Sequence, residues 1–139
     1  MKNSIHILCQ VKSALKYKRY IKKYTSYLLH YLSQNKNINI IICNDKKISQ
    51  IHKNFLDDDS PTDVISFHSY DIENFLGELV INIDFAKREC KKRKIAIEEE
   101  LCRYITHGAL HILGYKDSDK KSKKLMWAKQ EEILKGYLK

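Results

Sequence analysis

The chain has 139 residues, of which 43% are hydrophobic and 31% charged, and its formal net charge is +9. This length fits one globular domain over residues 1–139, and no apolar run approaches the roughly 18 residues of a membrane span, so we predict no membrane partner. A basic chain attracts polyanions, and the charge therefore favours a nucleic-acid partner, although part of the lysine can be ordinary solvated surface.

The N-terminus and the cysteines indicate the compartment. The lysines near the N-terminus flank an apolar run too short for a signal peptide, and no small-residue cleavage site follows it. The four cysteines are scattered and form no C-x-x-C pair; they are Cys9, Cys43, Cys90 and Cys102. Reduced thiols are typical of the cytosol, so we predict a cytoplasmic protein with no disulfide partner.

The first half of the chain is predicted to alternate strands and helices. Apolar residues alternate over Ser4–Val11, which predicts a first strand. Apolar residues at helical spacing over Ala14–Ser33 predict an amphipathic helix. The run Ile38–Cys43 is apolar apart from one asparagine and fits a buried strand, and Lys46–Phe55 can form a short helix.

Two further strands and a helix are predicted after an acidic, proline-containing segment that favours a loop before residue 63. The strands are predicted over Asp63–Tyr70 and Gly77–Ile83. We expect Asp84 to cap a helix that runs to about Lys92. The basic run 87–94 suits the end of that helix, because positive charge interacts favourably with the carboxyl end of the helix dipole.

The last two helices complete the prediction of the fold class. Ile97–Leu113 carries an apolar stripe and an acidic first turn, and Gly114 is a suitable residue to end this helix. A final helix is predicted over Asp119–Tyr137. Its docking residues are predicted to be Leu125, Trp127, Ile133 and Leu134. Strands and helices mix without regular βαβ alternation, so we predict an α+β fold around a small sheet.

The segment HGALHILGYKD, residues 107–117, has the spacing of a zinc site on a helix and the turn after it. His107 and His111 lie one turn apart on the same helix face and can direct two imidazoles at one metal ion. Gly114 can adopt the left-handed conformation that reverses the chain, which brings Asp117 back to the same ion. Three protein ligands would leave a fourth position open for water, as in catalytic zinc sites.

Other interpretations of this segment remain open from the residues alone. Two histidines four apart on a helix can be unrelated, and two imidazoles with a carboxylate also match the facial triad of non-haem iron. A zinc protease is disfavoured, because its motif H-E-x-x-H has a glutamate as general base where this chain has Gly108. A metal can still acidify a water and polarise a phosphodiester without that glutamate.

Three segments together resemble the YbeY family of bacterial metallo-endoribonucleases, which are rRNA maturation factors. The segments are HGALHILGYKD, PTDVISF over Pro61–Phe67, and LGELVI over Leu76–Ile81. In this family a glycine follows the first histidine, so Gly108 agrees with the family at the position where it departs from the protease motif. The resemblance covers about residues 38–137.

The resemblance implies an α+β fold in which the helix with the histidines packs on a small, mostly parallel four-stranded sheet. It implies a metzincin-like site with one zinc ion and with His107, His111 and Asp117 as ligands. It also implies a zinc-dependent endoribonuclease that cleaves single-stranded RNA in 16S rRNA 3′-end maturation and ribosome quality control, with the small ribosomal subunit as partner. The alternative is a ribosome-binding assembly factor whose metal is mainly structural.

The chain departs from the family at three positions. Asp117 stands where most members have histidine, and Leu56 stands where the family has an arginine that can clamp phosphate. His52 stands where the family often has asparagine; it can support the metal site, although we interpret it as a partly exposed surface histidine. Lys116 or the basic run 87–94 can compensate for the missing arginine.

Two carboxylates are candidate helpers of catalysis, and each has a simpler alternative. Asp63 can orient a metal-ligating histidine by accepting its second N–H, or it can be a turn residue. Glu78 can act as a general base or cleft acid, or it can be a surface carboxylate at the sheet edge. The sequence assigns the general base to neither residue.

Overall fold

The computed structural model describes residues 4–56, 62–69 and 72–138. Most of the acidic loop predicted before residue 63, and Tyr70 at the end of a predicted strand, lie outside the described residues. The strands are β1 (Ile5–Cys9), β2 (Asn37–Cys43), β3 (Val64–His68) and β4 (Phe75–Asn82). The helices are α1 (Lys18–Tyr31), α2 (Asp45–Leu56), α3 (Ile83–Arg93), α4 (Ile97–Ile112) and α5 (Lys120–Leu138).

The four strands form one sheet in the order β1-β2-β4-β3. β1, β2 and β4 run parallel to one another, and β3 pairs with the edge of β4 in the antiparallel direction. The sheet is therefore mixed but mostly parallel, and the predicted α+β fold with four strands is confirmed. Because β3 and β4 follow each other in the chain, their antiparallel pairing needs only a short connection.

Side chains alternate between the two faces of the sheet, and each face carries a cluster of buried residues. Ile40 and Leu79, paired in register, belong to the larger core cluster that also contains the apolar stripe of α4. Ile65 of β3 and Val80 of β4, which also pair in register, pack on Ile48 of α2 in a smaller cluster. Each fully buried side chain of this size contributes roughly 1.5–3 kcal/mol, so the larger cluster is the main anchor of α4.

The helix predicted over Ala14–Ser33 begins differently from the prediction. Residues Lys12–Tyr17 form a 3₁₀ turn, and the α-helical hydrogen bonds of α1 start only at Lys18. Such turns are frequent at helix N-termini, where the first N–H groups have no partner within an α-helix.

The predicted cap of α3 is also corrected. Asn82, and not Asp84, is the capping residue, because its side-chain oxygen accepts hydrogen bonds from the backbone N–H groups of Asp84 and Phe85. Asn82 ends β4 in an extended conformation, which is the backbone that an N-cap requires.

The predicted docking of α5 through Trp127 and Leu125 is wrong. Trp127 is 58% exposed and Leu125 is 61% exposed, whereas Ile133 and Leu134 are buried as predicted. The buried face of α5 consists of Met126, Gln130, Ile133 and Leu134. At 100° per residue, this stripe turns positions 125 and 127 to its two sides, and Gln130 is its one polar member.

All four cysteines carry free thiols. Burial raises the pKa of the Cys43 thiol to about 11, so this thiol stays protonated and unreactive at neutral pH. Within the described ranges, no helix has both the length and the apolar character that crossing a membrane requires.

Candidate metal centre

His107 and His111 project from one face of α4, which packs its other faces against the sheet, α1 and α5. Their Nε2 atoms lie 3.2 Å apart, and their ring planes meet at 79°. The helical spacing of four residues explains this approach, because i and i+4 side chains are neighbours on a helix surface. The two imidazoles therefore converge on one point, as the sequence predicts.

The turn after α4 brings a carboxylate to the same point. Tyr115 donates its backbone N–H to the Leu110 carbonyl, and Gly114 donates to the His111 carbonyl, each at 3.0 Å. This is a Schellman motif, and it needs a residue in the left-handed region, which Gly114 supplies with φ of +99°. The chain turns back, and Asp117 Oδ2 lies 3.2 Å from His111 Nε2 and 4.0 Å from His107 Nε2.

The spacing of these three donor atoms suits a small metal ion. All three lie within 4.8 Å of one another. Around a tetrahedral zinc ion with ligands at about 2.0–2.1 Å, neighbouring donors would lie about 3.3–3.4 Å apart. Two of the distances are already close to this value, and the longest one involves the exposed Asp117, whose side chain can rotate. His107, His111 and Asp117 can therefore hold a metal ion.

The close packing of α4 on the sheet accounts for a glycine at position 108. A Cβ at this position would lie 2.7 Å from Leu79 Cδ2, 3.0 Å from Ser66 Oγ and 3.2 Å from Val64 Cγ2. Ser66 also donates a hydrogen bond to the Gly108 carbonyl at 3.0 Å, which fixes α4 closely on β3. A glutamate at this position would project into β3 and β4, so the glutamate base of zinc proteases has no room here.

The candidate ligands lie in an open cleft of about 430 Å³ between α4, β3 and the turn after α4. Its other lining residues are His52, Thr62, Asp63, Val64, Ile65, Ser66, His68 and Ile112. The side chains of His107, His111 and Asp117 are 33%, 30% and 43% exposed. Structural zinc sites are closed by four protein ligands, whereas this arrangement leaves the donor atoms accessible to a substrate.

Asp63 lines the cleft, but the hydrogen bonds described for its side chain are local. Its Oδ1 accepts from the Val64 backbone N–H at 2.7 Å and from the Thr62 hydroxyl at 3.3 Å. These are the contacts of a turn residue, the simpler of the two interpretations of Asp63. The oxygen 2.8 Å from His107 Nδ1 comes instead from Gln130.

Glu78 and Lys116 differ in where they lie relative to the three donor atoms. Leu79 faces Gly108 of α4, so alternation along β4 turns Glu78 to the other face of the sheet, where it lines a separate groove with Lys18. Glu78 therefore does not line the cleft. Lys116 is exposed in the turn beside Asp117, where its ammonium group is free to approach a bound polyanion.

Leu56 stands where the family has an arginine, and the basic run 87–94 is predicted to compensate for the absence of that arginine. Leu56 is the last residue of α2, and its side chain lies outside the described part of the structure. Both arginines of the run form ion pairs, Arg88 with Asp45 and Arg93 with Glu100. Any contribution of this run to polyanion binding therefore falls mainly to its lysines.

Sequence reasoning missed Gln130 and His68. His52, interpreted from the sequence as a partly exposed surface histidine that can also support the site, is half-buried and lines the cleft together with His68. Gln130 is only 4% exposed and contacts His107 from α5, a separation of 23 residues. The available signal was a lone polar residue in the apolar stripe of α5, which usually marks a buried hydrogen bond.

Named relatives match this chain over most of its length. A Flavobacterium psychrophilum protein named Endoribonuclease YbeY is 38% identical over 107 residues, which cover 75% of this chain and 76% of that protein. A protein of the same name from Sulfurihydrogenibium sp. is 31% identical over 139 residues, which cover 96% of this chain and 91% of that protein. A third, from Cytophaga hutchinsonii, is 36% identical over 98 residues, covering 70% and 68% of the two chains.

The fold has a solved counterpart as well. The solution structure of a Thermotoga maritima protein superposes with a TM-score of 0.68 at 24% identity, covering 94% of this chain and 86% of that one. The sequence profile described as Endoribonuclease YbeY matches residues 6–138, a range that contains the helix with both histidines, the turn with Asp117, and Gly108. This chain therefore belongs to the endoribonuclease YbeY family.

Proposed function

We propose that this protein is a zinc-dependent endoribonuclease that cleaves single-stranded RNA during 16S rRNA 3′-end maturation and ribosome quality control. The zinc ion would be held by His107, His111 and Asp117. The observation that carries the proposal is the convergence of three donor atoms within 4.8 Å at an open cleft, in a chain of the YbeY family.

A bound zinc ion supplies an acidified water and a Lewis acid for the scissile phosphodiester. Two neutral imidazoles and one carboxylate leave one net positive charge at the site, which attracts a phosphate group. The chain adds a net charge of +9, and Lys116 is exposed beside the site. These features favour a polyanionic substrate over a polypeptide.

The room available at the cleft also favours RNA over protein. Gly108 leaves no place for the glutamate base on which zinc proteases rely. An RNA substrate needs no such group for one route, because its own 2′-hydroxyl is an internal nucleophile next to the phosphodiester. The expected location of such an enzyme is the cytoplasm, with the small ribosomal subunit as its partner.

The proposal is tested by comparing the wild type with His111→Ala. The purified proteins are incubated with a labelled single-stranded RNA, a duplex RNA and a protein substrate, and bound zinc is measured for each. We expect stoichiometric zinc and cleavage of the single strand by the wild type, and loss of both in His111→Ala. His30→Ala is the matched control, because His30 is an exposed histidine of α1 far along the chain from the site.

The outcomes separate the candidate functions. Cleavage that persists in His111→Ala comes from a contaminating nuclease and contradicts the proposal. Stoichiometric zinc and ribosome binding without RNA cleavage identify a ribosome-assembly factor with a structural metal. Cleavage of the protein substrate identifies a protease.

The same reaction products identify the nucleophile. Attack by the 2′-hydroxyl expels the 5′-oxygen of the next nucleotide and leaves a 2′,3′-cyclic phosphate. Attack by water gives a linear phosphate end with no cyclic precursor. The end groups are distinguished by mass spectrometry of a short oligonucleotide substrate.

A further inference from the structure

Gln130 is a buried polar residue that joins the metal centre to a network of charges. Its Oε1 lies 2.8 Å from His107 Nδ1, and its Nε2 donates to Glu131 Oε2 at 3.0 Å. The side chain is only 4% exposed, so water contributes little to its hydrogen bonds. A buried amide with both ends occupied has one favourable orientation, and the charges around it decide which one.

Glu131 decides the orientation of the amide. Its carboxylate accepts two hydrogen bonds from Arg103, through Nε at 2.9 Å and Nη2 at 3.0 Å. Burial alone would raise the pKa of Glu131, but the hydrogen bonds from Arg103 and Gln130, together with the positive charges of Arg103 and Arg93, outweigh burial and lower it. The carboxylate is therefore ionised at neutral pH and can only accept, so the NH₂ end of Gln130 must face Glu131.

Arg103 also forms ion pairs within its own helix. It lies one helical turn before His107 on α4, and it pairs with Glu99 and Glu100 of the same helix. Its side chain is 11% exposed, and Glu100 is also paired with Arg93 of α3. The network thus runs from α3 through α4 to α5 and returns to α4 at His107.

The orientation of the Gln130 amide determines which ring nitrogen of His107 carries the proton. Because the NH₂ end of Gln130 faces Glu131, its carbonyl oxygen faces His107 Nδ1. A carbonyl oxygen can only accept, so Nδ1 must carry the proton and donate it. In a neutral imidazole the other nitrogen, Nε2, then keeps its lone pair. This Nε2 is the atom that points to His111 and Asp117.

We propose that Gln130 is a positioning residue that selects the Nδ1–H tautomer of His107, and that Arg103 and Glu131 fix the Gln130 amide in the orientation this requires. The inference rests on the proposed function, in which His107 binds the metal through Nε2. Residues that orient metal-ligating histidines typically change metal affinity or activity by about 10–100-fold when they are removed.

The first test needs neither metal nor variant. In metal-free protein labelled with ¹⁵N and held near pH 8, well above the ordinary histidine pKa of about 6.5, nitrogen chemical shifts distinguish the two tautomers. We expect Nδ1 of His107 to be protonated and Nε2 to be unprotonated. A protonated Nε2 in the wild type overturns the inference, whether or not the protein binds zinc.

The second test uses three variants and zinc affinity, measured by competition with a chromophoric chelator. Gln130→Met keeps the size of the side chain and removes the acceptor, and we expect a loss of affinity of about 10–100-fold and a mixture of tautomers. Glu131→Gln permits either orientation of the Gln130 amide, and we expect a smaller loss. Glu132→Gln is the matched control, because Glu132 is the adjacent glutamate, bonds to Tyr31 and Lys129, and should leave the zinc affinity unchanged.

The outcomes distinguish this inference from the proposed function. If the wild type binds no zinc, the proposed metal site fails, and the tautomer measurement still decides the role of Gln130. If the wild type binds zinc but Gln130→Met retains both its affinity and the Nδ1–H tautomer, the positioning role is wrong. An equal loss in Glu131→Gln and Glu132→Gln also contradicts it, because only Glu131 touches Gln130.

Discussion

Replacing Gly108 by alanine tests the idea that packing against the sheet, and not the metal, dictates this residue. The added Cβ would lie 2.7 Å from Leu79 Cδ2, well inside van der Waals contact, and 3.0 Å from Ser66 Oγ. Leu79 is fully buried in the main core cluster and has little freedom to move aside. We therefore expect crowding of α4 against β4.

Two opposing effects set the size of the change. Adding a methyl group to a filled core typically costs about 1–3 kcal/mol. Exchanging glycine for alanine inside a helix stabilises by about 1 kcal/mol. The expected net effect of Gly108→Ala is a loss of about 0–2 kcal/mol in the free energy of unfolding, or a decrease in Tm of several degrees for a domain of this size.

The assay is urea unfolding of Gly108→Ala in two backgrounds, the wild type and Leu79→Val. Leu79→Val removes the atom nearest to the added methyl group and keeps a residue suited to a strand. We expect the cost of Gly108→Ala to become smaller in this background, or to change to a gain of about 1 kcal/mol from helix propensity. If alanine stabilises the wild type by that amount and the two substitutions are additive, the packing argument is refuted.

Four further outcomes follow from the structure. Zinc at about one hundred times its dissociation constant should stabilise the wild type by about 2.7 kcal/mol, and a chelator or His111→Ala should abolish the rise in Tm. The hydrogen bond from Arg88 lowers the pKa of Asp45, so this carboxyl contributes stability above about pH 4 that is lost as the pH falls through its folded-state pKa. Asp45→Asn should accordingly unfold with a shallower dependence on pH below about pH 4. Arg103→Leu leaves the buried Glu100 and the partly buried Glu99 and Glu131 without their shared partner, and it should lose about 3–5 kcal/mol in denaturant unfolding. Trp127→Ser should change stability by no more than about 0.5 kcal/mol, and a larger loss would restore the docking role that its exposure argues against.

Much of the fold is predictable because its signals are local. The apolar period of Ile97–Ile112 specifies a helix, and the four-residue spacing of His107 and His111 then places both on one face. The prediction of α5 was right in extent but wrong at Trp127. Periodicity gives the direction of a stripe only within the helix, and the neighbouring α4 decides which stripe is buried.

Glu78 illustrates the same limit for strands. Alternation alone shows that Glu78 and Leu79 face opposite ways, but it does not tell which face meets the helix with the histidines. The packing of Gly108 against Leu79 decides this, and it excludes Glu78 from the cleft. Registers between strands and the stacking of layers depend on contacts between segments that are distant in the chain.

The donor types, their spacing on the helix, and the glycine that turns the chain and brings Asp117 back towards the histidines are readable from the sequence, because each depends on backbone geometry within a few residues. Two other contacts depend on the folded chain as a whole, namely the close packing of Gly108 on Leu79 of β4 and the meeting of Gln130 with His107. The physical reason is that these contacts join separate segments. Their existence depends on how α4 is packed between the sheet and α5, which is a property of the folded core as a whole.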